Sequence, residues 1–440
     1  MKHLLVPGLA AMLLTSHLGE CAGHWPQFRG PNGDGHAAGA NELPVTWSET
    51  NNVKWKTPIH DKGWSSPVIW GDQIWLTTAT EEGSRLFALC VDKDTGRVVH
   101  DLKVFDAVQP ELWKKYNSYA SPTPVIEEGR VYVTFGEAGT ACLDTKTGKT
   151  LWERRDLKCN HYRGAGSSPI LHQNLLILHF DGADDQFVIA LDKRTGKDVW
   201  RTQRSVDFKD LGPDGKPRME GDLRKAYGTP QIVTMEGRTV MLSTGAKALY
   251  AYEPLTGKEL WQVEVQPYHS SGARPLYAHG LVFFPAGFSR GHFLAVKPPP
   301  ASAWQAGNVT DASKDGEPQP GKAQVVWRLT KGVPETPTPV IQDELLLVVD
   351  NNGFASAVEA LTGKVLWNER LLKAVYASPV LAGGRVYACD RDGKTVVFAA
   401  GREFKLLGES KLEGSIEAAP AVSGQALFLR TSQALYRIEK

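Results

Sequence analysis

The stretch ALDKRTGKDVW, Ala190 to Trp200, recurs along the chain with small changes. VDKDTGRVVH runs from Val91 to His100 and LDTKTGKTLW from Leu143 to Trp152, while YEPLTGKELW ends at Trp261 and VEALTGKVLW at Trp367. Each copy has an apolar residue, usually an acid, two or three variable residues, Thr-Gly, a base, then an apolar pair or a Trp. The pattern has a physical reading. Asp192, like Asp144, ends a strand, and its carboxylate can accept backbone N–H groups two residues on. Gly196 takes the positive φ that a tight return requires, and Gly148, Gly257 and Gly363 hold the same place. Trp200 then lies on a sheet face and buries its ring against a neighbour, as Trp152, Trp261, Trp327 and Trp367 would. The commonest spacing is roughly 50 residues, so the chain reads as an array of similar units.

A second recurrence lies between these. It is a small polar residue, a Pro and an apolar pair: SSPVI at Ser65, PTPVI at Pro122, SSPIL at Ser167, GTPQI ending at Ile232, ARPLY at Ala273, PTPVI at Pro337, ASPVL at Ala377 and AAPAV at Ala418, eight in all. Short β-branched and aromatic runs follow, such as GDQIWLTT from Gly71 and GRVYVTF from Gly129. Bounded by Gly, Asp or Asn, they read as strands. A third strand leads into the Thr-Gly turn and a fourth carries the Trp, so each unit is a four-stranded antiparallel meander. One meander cannot bury both faces; eight stacked around an axis make an all-β, eight-bladed β-propeller.

Fourth strands are expected at Val98 to Val104, at Glu403 to Leu406, and at the five Trp positions above. The eighth unit ends the chain after its third strand, LYRIEK. The missing strand is NVKWKTP, Asn52 to Pro58, whose Trp55 has no blade before it. It is expected to complete the last blade and close the ring without a covalent joint. Two polar, turn-rich insertions, 202–223 and 298–322, are expected to be surface loops or partly disordered, read as exposed decoration before a partner site.

Composition bounds the function. The 440 residues carry 50 basic and 49 acidic side chains, a net charge of +1, with 42% apolar and 22% charged residues. No basic run offers an electrostatic footprint for nucleic acid. MKHLLVPGLAAMLL starts with Lys2 and His3 and continues in an apolar run too short to span a bilayer, as an export signal does. Residues 1–23 are read as that signal, 24–51 as an N-terminal arm and 52–440 as the propeller. No other segment reads as transmembrane. LGEC, Leu18 to Cys21, has the look of a bacterial lipobox, but Glu20 stands where a small residue belongs. Cleavage and a periplasmic or secreted product are expected, with a lipid anchor at Cys21 as the alternative. Cys90, Cys142, Cys159 and Cys389 form no adjacent pair and no CxxC, and read as isolated buried thiols.

The AxDxxTGxxxW repeat resembles the PQQ-like repeat, named for pyrroloquinoline quinone, from Asn52 to Lys440. The repeat occurs in eight-bladed quinoprotein alcohol dehydrogenases and in BamB-like outer-membrane-protein assembly factors that bind no quinone. The opening WPQFRGPNGDG, Trp25 to Gly35, resembles the start of secreted PQQ-like repeat proteins of environmental bacteria. This resemblance implies a fold firmly and a function weakly, because the repeat residues join blade to blade.

It also implies two functions. A quinoprotein dehydrogenase of alcohols or sugars would hold PQQ at the axis beside a Ca²⁺, with a vicinal disulfide against the quinone and an Asp as base. No adjacent Cys pair exists here, the chain has few long loops to wall a substrate cavity, and no catalytic residue is assigned. By position before the eight prolines, the channel mouth should hold Trp64, Asn117, Tyr119, His161, Arg163, Tyr227, His269, Arg274, Glu335, Tyr376 and Glu417. Glu335 and Glu417 with Asn117 could ligate Ca²⁺, and Arg163 and Arg274 could hold an anionic cofactor. Trp64, Tyr227 and Tyr376 could stack on it. The favoured reading is the other: a non-catalytic, BamB-like scaffold with protein partners in the envelope, needing neither PQQ nor metal. GxSxG in a strand-to-helix setting, HExxH, Rossmann and P-loop patterns are absent, and NGDG at Asn32 to Gly35 reads as a turn.

Overall fold

Eight sheets form from the eight repeats, each a meander whose proline segment supplies the innermost strand. The computed structural model describes residues 23–108, 112, 116–161, 163–270, 272–288, 291–313 and 316–440. The expected export signal, Cys21 included, lies outside the described residues apart from Gly23. Blade one is Val68–Trp70, Gln73–Ala79, Arg85–Asp92 and Val98–Asp106, in that order from the axis outward. Blade eight is Ala421–Ser423, Ala426–Arg430, Ala434–Ile438 and then Val53–Pro58. Val53 pairs with Ile438 and Pro58 with Ala434, antiparallel, so the N-terminal strand closes the ring as the repeat count predicts.

The recurring turn joins neighbouring blades. Asp192 Oδ1 accepts from the N–H groups of Arg194 and Thr195 at 3.1 and 2.8 Å, and from the Thr195 hydroxyl at 2.8 Å. Asp144 does the same for Lys146 and Thr147. Gly196 has φ of 71°, and a Cβ there would come 2.7 Å from the ring of Trp152 in the preceding blade. That indole donates to Lys193 O at 3.0 Å. Trp200 donates to Pro254 O at 3.1 Å, Trp327 to Ala360 O at 2.8 Å, Trp367 to Gly401 O at 3.1 Å, and Trp55 to Lys93 O at 3.0 Å, across the closure. Each Trp thus lies on the next blade's turn and ties to a carbonyl there. Gly148 receives Leu102 instead, because the fourth strand of blade one has no Trp. Trp261 is fully buried, but blade five has no Thr-Gly turn and the indole N–H has no acceptor among the described residues.

The proline motif makes a second belt, around the axis. The N–H of Ser66 donates to Thr123 Oγ1 at 2.9 Å, that of Thr123 to Ser168 Oγ at 2.9 Å, and that of Ser168 to Thr229 Oγ1 at 3.0 Å. Arg274 N–H donates to Thr338 Oγ1 at 2.8 Å, Thr338 N–H to Ser378 Oγ at 2.9 Å, and Ala419 N–H to Ser66 Oγ at 3.0 Å. The small polar residue before each Pro is therefore a hydroxyl that caps the N–H of the blade before it. Arg274 and Ala419 lack a hydroxyl, and the belt is interrupted there.

Three expectations need correction. The fourth strand of blade seven is Leu406–Lys411, not Glu403 to Leu406; Phe404 instead packs on Trp367 from the preceding turn. The second insertion is no loose loop. Its Val309–Asp311 adds a fifth, parallel strand to Glu259–Glu264 of blade four, with Gln262 opposite Val309, and so buries Leu260 to 3% exposure. Positionally equivalent Leu151 and Val199 remain 46% and 50% exposed. The first insertion begins after Gln203, where the fourth strand of blade three ends, and returns to the axis through Arg218–Arg224. Its Asp210 is buried and holds Arg224 through two bonds of 2.7 and 2.8 Å.

Candidate functional site: an axial chamber

The N-terminal arm closes one end of the channel. Trp25 pairs with Ile69 at the outer end of a first strand, Pro26 O accepts from Ile126 N–H, and Gly35 O accepts from Leu381 N–H. His36–Ala37 then runs parallel to Val380–Ala382 of blade seven. Arg29 is buried and donates to Asp34 O and Pro339 O at 2.7 Å and to Pro379 O at 3.1 Å. Arg274 donates to Phe28 O at 3.0 Å and Gly33 O at 3.2 Å. A Cβ on Gly33 would overlap that guanidinium, so only glycine lets the arm come so close. Burial pushes Arg29 down to about 9 and Arg274 down to about 10, with the Asp34 carboxylate pulling the other way. The Gly-rich turn is thus part of a plug. Arg274 lies in its seat and does not line the chamber, a correction to its placement at the channel mouth.

Above the plug is a chamber of about 490 Å³ with Phe28 in its wall. Trp64, Asn117, Arg163, Tyr227, His269, Glu335, Tyr376 and Glu417 all line it, on the loops that lead into the first strands. Tyr119 lies on a smaller neighbouring cavity, which shares Trp64, Asn117 and Glu417 with the chamber. His161 is buried behind the wall, its Nδ1 3.2 Å from Cys159 Sγ, and burial lowers it to about 4. Tyr116, Asp222 and Phe288 also line the chamber. They belong to an interblade loop, the first insertion and a hairpin, which the repeat could not place. The expectation that too few loops exist to wall a cavity was therefore wrong.

The chamber is aromatic and electrostatically paired. Trp64 and Tyr376 lie 5.6 Å apart between centroids, with the Arg391 guanidinium 5.4 and 5.2 Å from them. Arg391 Nε is 3.0 Å from Glu417 Oε1. Tyr116 meets Phe288 edge to face at 5.9 Å. Arg163 reaches Asp222 at 3.2 Å, and Lys225 binds the other oxygen of that carboxylate. Burial pulls Lys225 down to about 8 although Asp222 opposes it, and burial also lowers His269.

This donor set does not suit PQQ with Ca²⁺. Asn117 donates from Nδ2 to Arg163 O and Ala165 O and spends its oxygen on Ser118 N–H at 2.9 Å. Glu417 is engaged by Arg391. Among the described residues no three His, Cys, Asp or Glu side chains converge as a metal site. The four described cysteines are free and buried, and none lines the chamber.

Fold and chamber define the class: an eight-bladed propeller with a plugged axial cavity. The chain belongs to the family described as "Outer membrane protein assembly factor BamB", whose model matches residues 101–283 and 301–403. It is similar to the outer membrane protein assembly factor BamB of Legionella pneumophila (strain Paris), 27% identical over 113 residues, 26% of this chain and 29% of that protein. It is equally similar to the quinoprotein ethanol dehydrogenase of Pseudomonas putida, 27% identical over 228 residues, 51% of this chain and 33% of that one. The chain thus spans a third or less of the length of these relatives. Among solved structures, BamB from Moraxella catarrhalis superposes with a TM-score of 0.57 at 13% identity, covering 87% of this chain and all of that one. The quinohemoprotein alcohol dehydrogenase of Comamonas testosteroni gives 0.51 at 14%, covering 95% and 80%. These likenesses speak for the fold. Among the described residues no helix is long and apolar enough to cross a membrane.

Proposed function

We propose that this is an exported, non-catalytic propeller that presents a face of its ring to protein partners in the bacterial cell envelope. Residues 1–23 direct export and are removed, 24–51 form the plugging arm and 52–440 the ring; the product is periplasmic or secreted. The observation that carries this reading is the double belt. Inner hydroxyls and outer Trp–turn contacts both link blade to blade, so a partner would order little on binding. The description of the family points the same way. The second reading, a PQQ- and Ca²⁺-dependent dehydrogenase of alcohols or sugars, draws on the quinoprotein relatives. The engaged Asn117 and Glu417 weigh against it.

The test has two arms. Metal-stripped mature protein is titrated calorimetrically with PQQ, with and without Ca²⁺. Photo-crosslinkers are placed on each face in the producing bacterium. The scaffold reading expects no saturable PQQ binding and reproducible crosslinks to one envelope protein from one face. Tight, Ca²⁺-dependent binding with dye reduction by an alcohol would replace it with the dehydrogenase.

A further inference from the structure

Five hydroxyls of the inner belt, on Ser66, Thr123, Ser168, Thr229 and Ser378, also line the chamber. Each is at least nine-tenths buried and accepts a backbone N–H from the blade before it. None donates its own proton to an acceptor among the described residues. A hydroxyl is donor and acceptor at once, so the chamber is lined by five O–H donors without acceptors among the described residues. A buried donor left so costs free energy unless something in the chamber receives it.

Elsewhere on the wall the chemistry is complementary. The carboxylates of Asp222, Glu335 and Glu417 line it; those of Asp222 and Glu417 already hold cations and have only their remaining lone pairs to give a ligand hydroxyl, while Trp64, Tyr376 and Phe28 offer ring faces. A ligand must therefore accept at one end, donate at the other, and present apolar C–H faces between. Asp222 is ion-paired to Arg163 and Lys225, and Glu417 to Arg391, so a ligand needs no charge of its own to neutralise either carboxylate. The plug makes the chamber blind, so a ligand enters from the face opposite the arm. Its volume, about 490 Å³, lies in the range of small-ligand sites.

We propose that the axial chamber binds a short, uncharged saccharide, stacked on Trp64 and Tyr376, with its hydroxyls shared between the belt and the carboxylates. This inference stands apart from the scaffold reading, since a sugar can bind whether or not a protein docks on a face. The ligand could be free or the end of a glycan chain.

The mature protein is titrated calorimetrically with cellobiose, maltose and chitobiose, each at millimolar concentration, and then applied to an array of immobilised glycans. Free-sugar binding expects a saturable heat with at least one disaccharide. Array signal without a heat assigns the site to a glycan end. In either case Trp64→Ala should weaken binding about tenfold or more. Glu335→Gln, which keeps shape and should keep the fold, should weaken it several-fold. Both variants are checked for unchanged thermal unfolding. The proposal is overturned if no sugar binds in either format, if binding is unchanged in both variants, or if PQQ binds the chamber tightly and excludes the sugar.

Discussion

At Gly196 one residue meets two demands. Its φ of 71° disfavours any L side chain, and the Trp152 ring occupies the place of a Cβ. Gly71 has a similar φ of 61°, but nothing lies within 4 Å of a Cβ there. Gly71→Ala should therefore cost about 1 kcal/mol, the backbone share alone. Gly196→Ala should cost about 2–4 kcal/mol, because the ring must also move. Denaturant unfolding of the two variants separates these shares. A second residue-scale expectation concerns His161, which burial lowers from its usual 6.5 to about 4. The folded state prefers the neutral ring, so this stability is complete above pH 6.5 and is lost as pH falls toward 4. The difference amounts to about 3 kcal/mol. Burial lowers His179 well below its usual value too, so it acts in the same direction. His161→Phe should flatten the decline in stability measured between pH 7 and pH 4.5.

At the scale of elements, the blades were legible because their local chemistry repeats. An Asp that caps its own turn, a Gly and a Trp tell of the strand ends without any distant information. The fourth strand of blade seven was misplaced for the converse reason: it has neither the Trp that marks most of the others nor a Thr-Gly turn before it. The insertion strand Val309–Asp311 was illegible because its partner is the edge of blade four, reached only through the tertiary fold. Arg274 carried a signal that went unread, since it stands where most repeats have Ser or Thr, and that departure marks the seat of the plug. The chamber was half legible: residues on the repeat's own loops could be placed, but Phe28, Asp222 and Phe288 come from segments with no period. Deleting 299–322 in favour of a short turn should uncover Leu260 and cost about 2 kcal/mol. It should also bare the apolar edge of blade four and promote self-association at micromolar concentration, read by light scattering after size-exclusion chromatography.

For the whole molecule, the joint between first and last blades is closed by Val53–Pro58, with Trp55 reaching Lys93 O in blade one and Arg437 of the neighbouring strand donating to the same carbonyl. Trp55→Ala should lower stability by about 2–4 kcal/mol. Limited proteolysis should then cut first in blades one and eight, whereas Trp152→Ala should direct cutting to blades two and three. The same joint sets an order in time. Blade eight needs Ile438 as well as Val53, so Val53–Pro58 has no partner until the seven blades that follow it in sequence, and the last strands of the eighth, have been made. Until then it is an unpaired strand with an apolar face, open to any passing edge. A chain delivered across a membrane in extended form would meet this hazard on the far side, from the arrival of Val53–Pro58 until that of Ala434–Ile438, and a holding chaperone there would matter most over that interval.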